Sequence, residues 1–305
     1  MDTGLVMDQS NEGTEADALA FRPRLLALAY RVLGSAADAE DAVQDAYLRL
    51  HQAREVDSPE AWLVKATTRL CIDRLRQARR REGYRGAWLP EPIPEAWEGG
   101  ATDRVELAES LSMAFLVLLE TLSPAERAAY LLREVFDYGF DEIAALLDKT
   151  PTNVRQIAAR ARKRVVEGSP RFRPEPREAD DLAARFLGAC RSGDLALIES
   201  MIAPEAVYHS DGGGKAFAAP RPIVGRSRIA NLLAVVYRKS GAIYDVIPTT
   251  VNGQPGVMFS TEGRPYLVTT FASEAGLITD FYTVLNPDKL RHWTPAGPSS
   301  TGVAP

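Results

Sequence analysis

The chain has 305 residues, 46% of them hydrophobic and 25% charged, with a net charge of −5. That is long enough for two or three compact domains and ordinary for a globular protein, which excludes wholesale disorder and a fibrous repeat. No run of about 18 apolar residues is present, and Asp2, Asp8, Glu12, Glu15 and Asp17 precede any apolar stretch, the wrong charge order for a secretory signal.

From Ala16 to about Arg85 the apolar residues repeat with a helical period. Phe21, Leu25, Leu28, Ala29 and Val32 form one stripe, which Gly34 can end. Ser35 is placed to cap a second helix, with Asp38 in its first turn and Ala39, Val43, Ala46, Tyr47 and Leu50 facing inward. Ser58-Pro59 opens a third helix that can run to about Glu82. Residues 86–104 include WLPEPIPEAW, whose prolines cannot continue a helix, so an extended linker is expected. Trp88 and Trp97 would waste burial on a free tether, and the linker is therefore expected to lie against something.

Helices return between Val105 and Val166. Leu107, Leu111, Ala114, Phe115, Leu118 and Leu122 make one stripe, SPAE at 123–126 starts another helix, and FDEIAALL follows Gly139. After the turn DKT, Pro151 opens TNVRQIAARARKRV, and the Pro-rich stretch Ser169 to Pro176 marks a boundary. Beyond it, DDLAARFLGACRSGDLALIESMI reads as two helices around a glycine turn, and Ser227–Arg238 as a third. AIYDVI, GVMFS, PYLVTTFA and LITDFYTVL then read as strands. This part is expected to be α+β, a curved antiparallel sheet with helices on one side, and the last dozen residues are expected to be loose.

Cys71 and Cys190 are too few and too far apart for a disulfide framework or a zinc site, and three histidines are a thin supply for catalysis. No metal, no cofactor and a reducing cytoplasm are the simple expectation. Charge is unevenly spread. Residues 1–66 carry 6 Lys/Arg against 12 Asp/Glu, 67–86 carry 7 against 2, 87–148 carry 3 against 13, and 149–164 carry 6 and no acid. Two short basic segments in an acidic chain point to local anion binding rather than general stickiness.

The segment 140–165 has the pattern of a helix-turn-helix, with Val154, Ile157, Ala158, Ala161 and Val165 inward and Asn153, Gln156, Arg160 and Lys163 on the opposite side, flanked by Arg155 and Arg162. Side chains near the start of such a helix can reach base edges in the major groove while later arginines hold phosphates. Thr150 and Thr152 suit phosphate contacts at the helix N-terminus. The other basic segment, TRLCIDRLRQARRREGYR, places Arg69, Arg74, Arg76, Arg79, Arg80 and Arg81 around a helix end, with Tyr84 positioned to stack an unpaired base.

Taken together, AEDAVQDAYLRL (39–50), SPEAWLVKATTRLCIDRLR (58–76) and the span 122–165 resemble the two domains of an extracytoplasmic-function sigma factor of the sigma-70 family. The resemblance covers about 15–168. It implies a multidomain chain: an all-α region 2 domain (15–85), a Pro/Trp-rich linker (86–104) and an all-α region 4 domain (105–168) with the helix-turn-helix. It further implies a protein that is not an enzyme and whose partners are RNA polymerase core and promoter DNA. Glu40, Asp41, Gln44 and Asp45 would dock on the β′ clamp helices, the basic helix would hold the −10 element, and the helix-turn-helix would read the −35 element. FLGACRSGDLALIESMIAPEAVYHSDGGGK resembles the start of a SnoaL-like domain, an α+β cone shared with ketosteroid isomerase, here expected over 178–292. WLPEP, DGGGK (211–215) and NPDKL (286–290) resemble the sigma-J type, which carries this domain in place of a separate anti-sigma factor and is regulated by it in cis.

The residues offer a means. Gly212, Gly213 and Gly214 can make an exposed turn with free N–H groups between Asp211 and Lys215. Such a turn, with Asn286, Pro287 and Asp288, could clamp the linker at Trp88. His209 and Asp211 share one face if their segment is a strand, and Asp245, Tyr208 and Tyr244 are placed to line a cone, where a ligand-sensing pocket for a small molecule is preferred to catalysis. Two rival readings remain at this stage: a dimeric helix-turn-helix repressor, and a DNA-binding protein fused to a SnoaL-type ligand-binding or enzymatic domain.

Overall fold

The structure is a computed structural model that describes residues 19–53, 56–78, 84, 86–99, 110–168 and 176–294. Expectations that fall on Arg79–Arg81, on Leu107, on the Pro-rich stretch 169–175 and on the chain beyond 294 lie outside the described residues. The chain forms two compact units: residues up to 80 join 122–163, and residues 81–121 join those from 164 onward.

In the first unit, α1 (Arg22–Leu33), α2 (Ala36–Gln52) and α3 (Pro59–Ala78) pack on one another. Gly34 ends α1 with φ +70°, a left-handed conformation that suits glycine. Ser35 Oγ accepts from the Asp38 N–H at 3.2 Å and starts α2. Of the apolar stripes predicted for both helices, Leu25, Leu28, Ala29, Val32, Ala39, Val43 and Ala46 are buried and Phe21, Tyr47 and Leu50 half-buried; Leu63, Val64 and Cys71 of α3 are buried with them. Helix α4 (Met113–Leu119) belongs to the second unit. The first resumes with α5 (Pro124–Tyr130), which runs on into a π-helical turn at Leu131–Val135, then α6 (Phe140–Leu147) and α7 (Pro151–Gly168). Ser123 and Glu126 form a reciprocal capping box at the start of α5.

In the second unit, α8 (Pro176–Ser192), α9 (Leu195–Ser200) and α10 (Arg226–Ile243) accompany a six-stranded sheet. Its strands are β1 (Ile202–Asp211), β2 (Ile223–Val224), β3 (Asp245–Val251), β4 (Gln254–Thr261), β5 (Arg264–Glu274) and β6 (Leu277–Val284), in the spatial order β2-β1-β6-β5-β4-β3. The sheet is mixed, not antiparallel throughout: β1 and β6 run parallel. Three hairpins join β3 to β6 and reverse the direction each time, while α10 carries the chain from one edge to the other, the kind of crossover a parallel pair needs. Strand β1 escaped the sequence reading because Pro204 interrupts its pattern, and an irregularity in the register between Ile202 and Val207 accommodates it.

Both sheet faces are covered, which explains why GVMFS reads as a continuous apolar run. Val257 and Phe259 pack with Phe186, Ile198 and Ile229 on the helix side. Met258, between them, packs on the other side with Leu89 of the linker, Met113 of α4 and Trp293. The linker and α4 thus complete the fold of the C-terminal sheet. Burying an aliphatic side chain such as Leu89 or Ile93 contributes about 1.5–3 kcal/mol.

Cys71 and Cys190 are buried in different units, and burial pushes both thiols up to about 12. Neither should react with a thiol reagent at pH 8 in the native protein. In increasing urea, each should label only as its own unit opens, so peptide-resolved labelling reports the two units separately. Fast native-state labelling of either thiol would contradict this packing.

Candidate functional site

On α7 the predicted inner residues are all buried, while Thr152, Asn153, Arg155, Gln156, Arg160 and Lys163 are exposed. Thr150 Oγ1 accepts from the Asn153 N–H at 3.3 Å, so this hydroxyl caps the helix. The Arg155 guanidinium lies 5.4 Å from the Phe140 ring, and Arg160 Nε lies 3.6 Å from Glu126 Oε1. Gln156 and Asn153 occupy the first turns, the positions from which a recognition helix reaches bases.

The arginines of α3 divide by role. Arg74 is tied into the fold, donating to the Asp38 carbonyl at 2.6 Å and to Asp45 Oδ2 at 2.8 Å, and so joins α2 to α3. Arg76 meets Asp73 one turn away at 3.2 Å. Arg69 pairs with Asp148, which Lys65 also approaches at 3.9 Å. Asp148 ends α6 with φ +51°, in the turn of the helix-turn-helix. Arg69 of α3 is thereby paired with the turn between α6 and α7.

That pair is one of several contacts joining α3 and α1 to α5 and α6. Arg127 is buried, and its Nε donates to the Arg31 carbonyl at 3.0 Å. Arg31 is itself enclosed, its guanidinium donates to the Ala27 carbonyl at 2.9 Å, and burial lowers its pKa to about 10. Arg24 lies 5.5 Å over the Tyr138 ring. Of the docking candidates, Asp41 and Gln44 are exposed, Glu40 is half-buried, and Asp45 is held by Arg74.

The second unit brings together WLPEP, DGGGK and NPDKL. Asp211 ends β1 with no exposed surface. Its Oδ2 accepts from the Leu89 N–H at 2.9 Å and from Lys289 Nζ at 2.7 Å; its Oδ1 accepts from the Tyr84 hydroxyl at 2.6 Å and from the Gly213 N–H at 2.9 Å. Lys289 also donates to the Leu89 carbonyl, and its ammonium sits 4.3 Å from the Trp88 ring centre. Burial pulls the Lys289 pKa down while Asp211 opposes the shift; burial, and then the bond to Asp211, raise that of Tyr84.

Gly213 has φ +60°, and a Cβ there would lie 2.3 Å from Asn286 Nδ2, so only glycine fits. Asn286 Nδ2 donates to the Tyr84 hydroxyl at 3.2 Å, and its Oδ1 caps the short turn Pro287–Lys289 by accepting from the Asp288 N–H at 3.1 Å. Lys215 pairs with Asp288, whose pKa that bond lowers. Gly212 and Gly214 complete the turn.

Further along, the linker is held by residues that sequence reasoning did not select. The Ile93 N–H donates to Asn252 Oδ1 and its carbonyl accepts from the Asn252 N–H, both at 3.0 Å, while Asn252 Nδ2 donates to the Leu111 carbonyl at 3.0 Å. Trp293 Nε1 donates to the Pro92 carbonyl at 2.9 Å, and His292 Nδ1 lies 3.0 Å from Glu91 Oε1 with Trp97 edge-on to its ring. Asn252-Gly253 carries an ordinary hairpin signal, and nothing in it marks the side chain as a bridge. Tyr84, read as a base-stacking residue, instead has its hydroxyl on Asp211.

A cavity of about 620 Å³ lies between the sheet and the helices of the same unit. Tyr208 and Tyr244 line it, as expected, and Asp245 does not. His209 lies 3.3 Å from Asp280 and stacks on Tyr282, away from the cavity.

Residues 18–81 match the family Sigma-70 region 2, and residues 112–165 match Sigma-70, region 4. The chain is 34% identical over 295 residues to the ECF RNA polymerase sigma factor SigJ of Mycobacterium tuberculosis, covering 91% of this chain and 93% of that one. It is 29% identical over 280 residues to the probable ECF RNA polymerase sigma factor SigI of the same organism, covering 89% and 92%. The crystal structure of M. tuberculosis SigJ superposes with a TM-score of 0.73 at 29% identity, covering 91% of this chain and 98% of that chain. The chain belongs to the extracytoplasmic-function RNA polymerase sigma factors of the sigma-70 family, with a C-terminal α+β sheet domain after the two sigma regions.

Proposed function

We propose that this sigma factor docks on the β′ clamp helices of core polymerase through the exposed side of α2 around Asp41 and Gln44, holds the −10 element with the basic end of α3, and reads the −35 element with the first turns of α7. The exposed row on α7 supports the last assignment, and the charge of α3 supports the second. The domain limits 15–85, 86–104, 105–168 and 178–292 are part of this reading, with one qualification: α4 packs on the C-terminal sheet while α5 and α6 pack with α3. The protein acts where the polymerase is, in the cytoplasm; among the described residues no helix is long and apolar enough to cross a membrane.

The C-terminal domain controls the sigma domains in cis by gripping the linker between them. The observation that carries this is the buried Asp211 carboxylate, whose partners include the Leu89 N–H of the linker. Control of this kind does not require a separate anti-sigma factor. The reading gives the C-terminal domain no catalysis: among the described residues lining its cavity none is a carboxylate or a histidine that could serve as a general base of the ketosteroid-isomerase kind.

Purified with core polymerase and fragmented host DNA, the full chain should direct transcripts from a discrete set of start sites. Sequencing of run-off products tests this, and polymerase output unchanged by the protein would overturn it.

Gln156→Ala should relax preference at one or two −35 positions, at about 1–3 kcal/mol per lost base contact. Arg76→Ala should weaken all promoters about equally and reduce the salt slope by about one. Binding selection from a randomised promoter library separates the two behaviours, and the reverse pattern would undo the assignment.

A further inference from the structure

The cone cavity is closed on the sheet side by aromatic rings. Tyr237 and Tyr244 meet Phe259 edge-on at 5.2 and 6.3 Å, and Tyr244 stacks on Tyr266 at 4.7 Å. Among the described residues no charged side chain lines it. Every polar side chain in the lining is a hydroxyl, and several already bond one another or backbone: Thr269 to Thr283 at 2.8 Å, Thr270 to the Pro255 carbonyl at 2.7 Å, and Ser210 to the Ala219 N–H at 3.0 Å. Hydroxyls keep spare donor and acceptor capacity, so a neutral molecule with a carbonyl or hydroxyl can be oriented there, whereas an ion would lose its hydration without a counter-charge. A void of this size and apolarity is costly to leave in a core and unattractive to water. Its volume suits a compound on the order of 20 non-hydrogen atoms.

The cavity adjoins the clamp. Ser210 and Asp211 are successive residues of β1 and point to opposite faces: Ser210 lines the cavity and Asp211 holds the linker. The loop that follows is pinned at one end by the Gly213 N–H on Asp211 and at the other by the Ala219 N–H on Ser210. Between these pins Phe217 borders the cavity with 94% of its surface exposed, an unusual position for a phenyl group.

We infer that the cone binds a neutral, mainly apolar, ring-bearing small molecule, and that Phe217 folds over it, drawing the glycine turn away from Asp211 and loosening the grip on Leu89. The coupling, though not the pocket, rests on the linker-clamp reading above. The Ala216 N–H, beside Phe217, donates to the Gly212 carbonyl at 3.0 Å, so an inward swing of Phe217 pulls on Gly212 and strains the adjoining Gly213–Asp211 bond.

The test uses the full chain and two fluorescent probes that share a ring system, neutral N-phenyl-1-naphthylamine and anionic 1-anilinonaphthalene-8-sulfonate. The neutral probe should bind saturably at one site per chain, with the anionic one weaker by about tenfold or more. Phe217→Ser, a change at an exposed position, should weaken the neutral probe by about threefold or more. Hydrogen exchange of the Leu89 amide is then followed with and without saturating neutral probe, and its protection should fall by about fivefold or more. No saturable binding, or equal binding of both probes, would overturn the pocket assignment. Leu89 protection that is present in the free protein but unchanged or raised by the probe would overturn the coupling. A Leu89 amide already unprotected in the free protein would instead refute the clamp.

Discussion

A buried carboxylate is costly unless every oxygen finds a donor, and in this chain Asp211 meets that demand with groups drawn from three distant stretches of sequence. Leu89 comes from the linker and Tyr84 from just before it, Gly213 from the glycine turn, and Lys289 from the segment after β6. Removing any one strands the others, since Lys289 is itself buried and shares its ammonium between Asp211 and the Leu89 carbonyl. The sharpness of the glycine turn and the cap by Asn286 follow from the same requirement. The site is a fastening in which each motif is incomplete without the other two.

The apolar accounting agrees with the polar one. The sheet of the C-terminal domain has two greasy faces; its helices cover one, and the linker with α4 covers the other. Release of the linker would therefore expose Met258, Val268 and Val284 as well as orphan the carboxylate, which makes release a cooperative event. In the other unit, Arg69 and Asp148 oppose one another across the two sigma domains, so the same arginine cannot hold a phosphate while that pair persists. On the proposed reading, both arrangements would restrain promoter recognition by engaging groups that recognition needs.

Much of this was legible in the residues. The helical periods of α1, α2 and α7, the caps at Gly34 and Ser35, and the outward row on α7 follow from local rules and stand as expected. Trp88 and Trp97 in a Pro-rich stretch already implied a buried linker. What escaped was long-range. Nothing local distinguishes Arg74, which braces α2 against α3, from its basic neighbours, and Asn252 looks like any hairpin asparagine until its partners in the linker are known. The parallel pairing of β1 with β6 depends on a crossover that no single strand encodes. Tyr84 illustrates the limit most plainly: an aromatic beside arginines suggests a base, yet its hydroxyl reaches a carboxylate 127 residues away.

The central claim is that the linker grip governs promoter output. Gly213→Trp tests it most directly, because Gly213 adjoins Asn286 with no room for a side chain and lies far in sequence from the two basic helices proposed to meet DNA. The measurement is run-off transcription with core polymerase, paired with limited proteolysis of the linker in the same preparation. The account predicts that linker cleavage accelerates by about tenfold or more and that transcript yield changes by about threefold or more. A linker that becomes cleavable while transcript yield stays the same would contradict it.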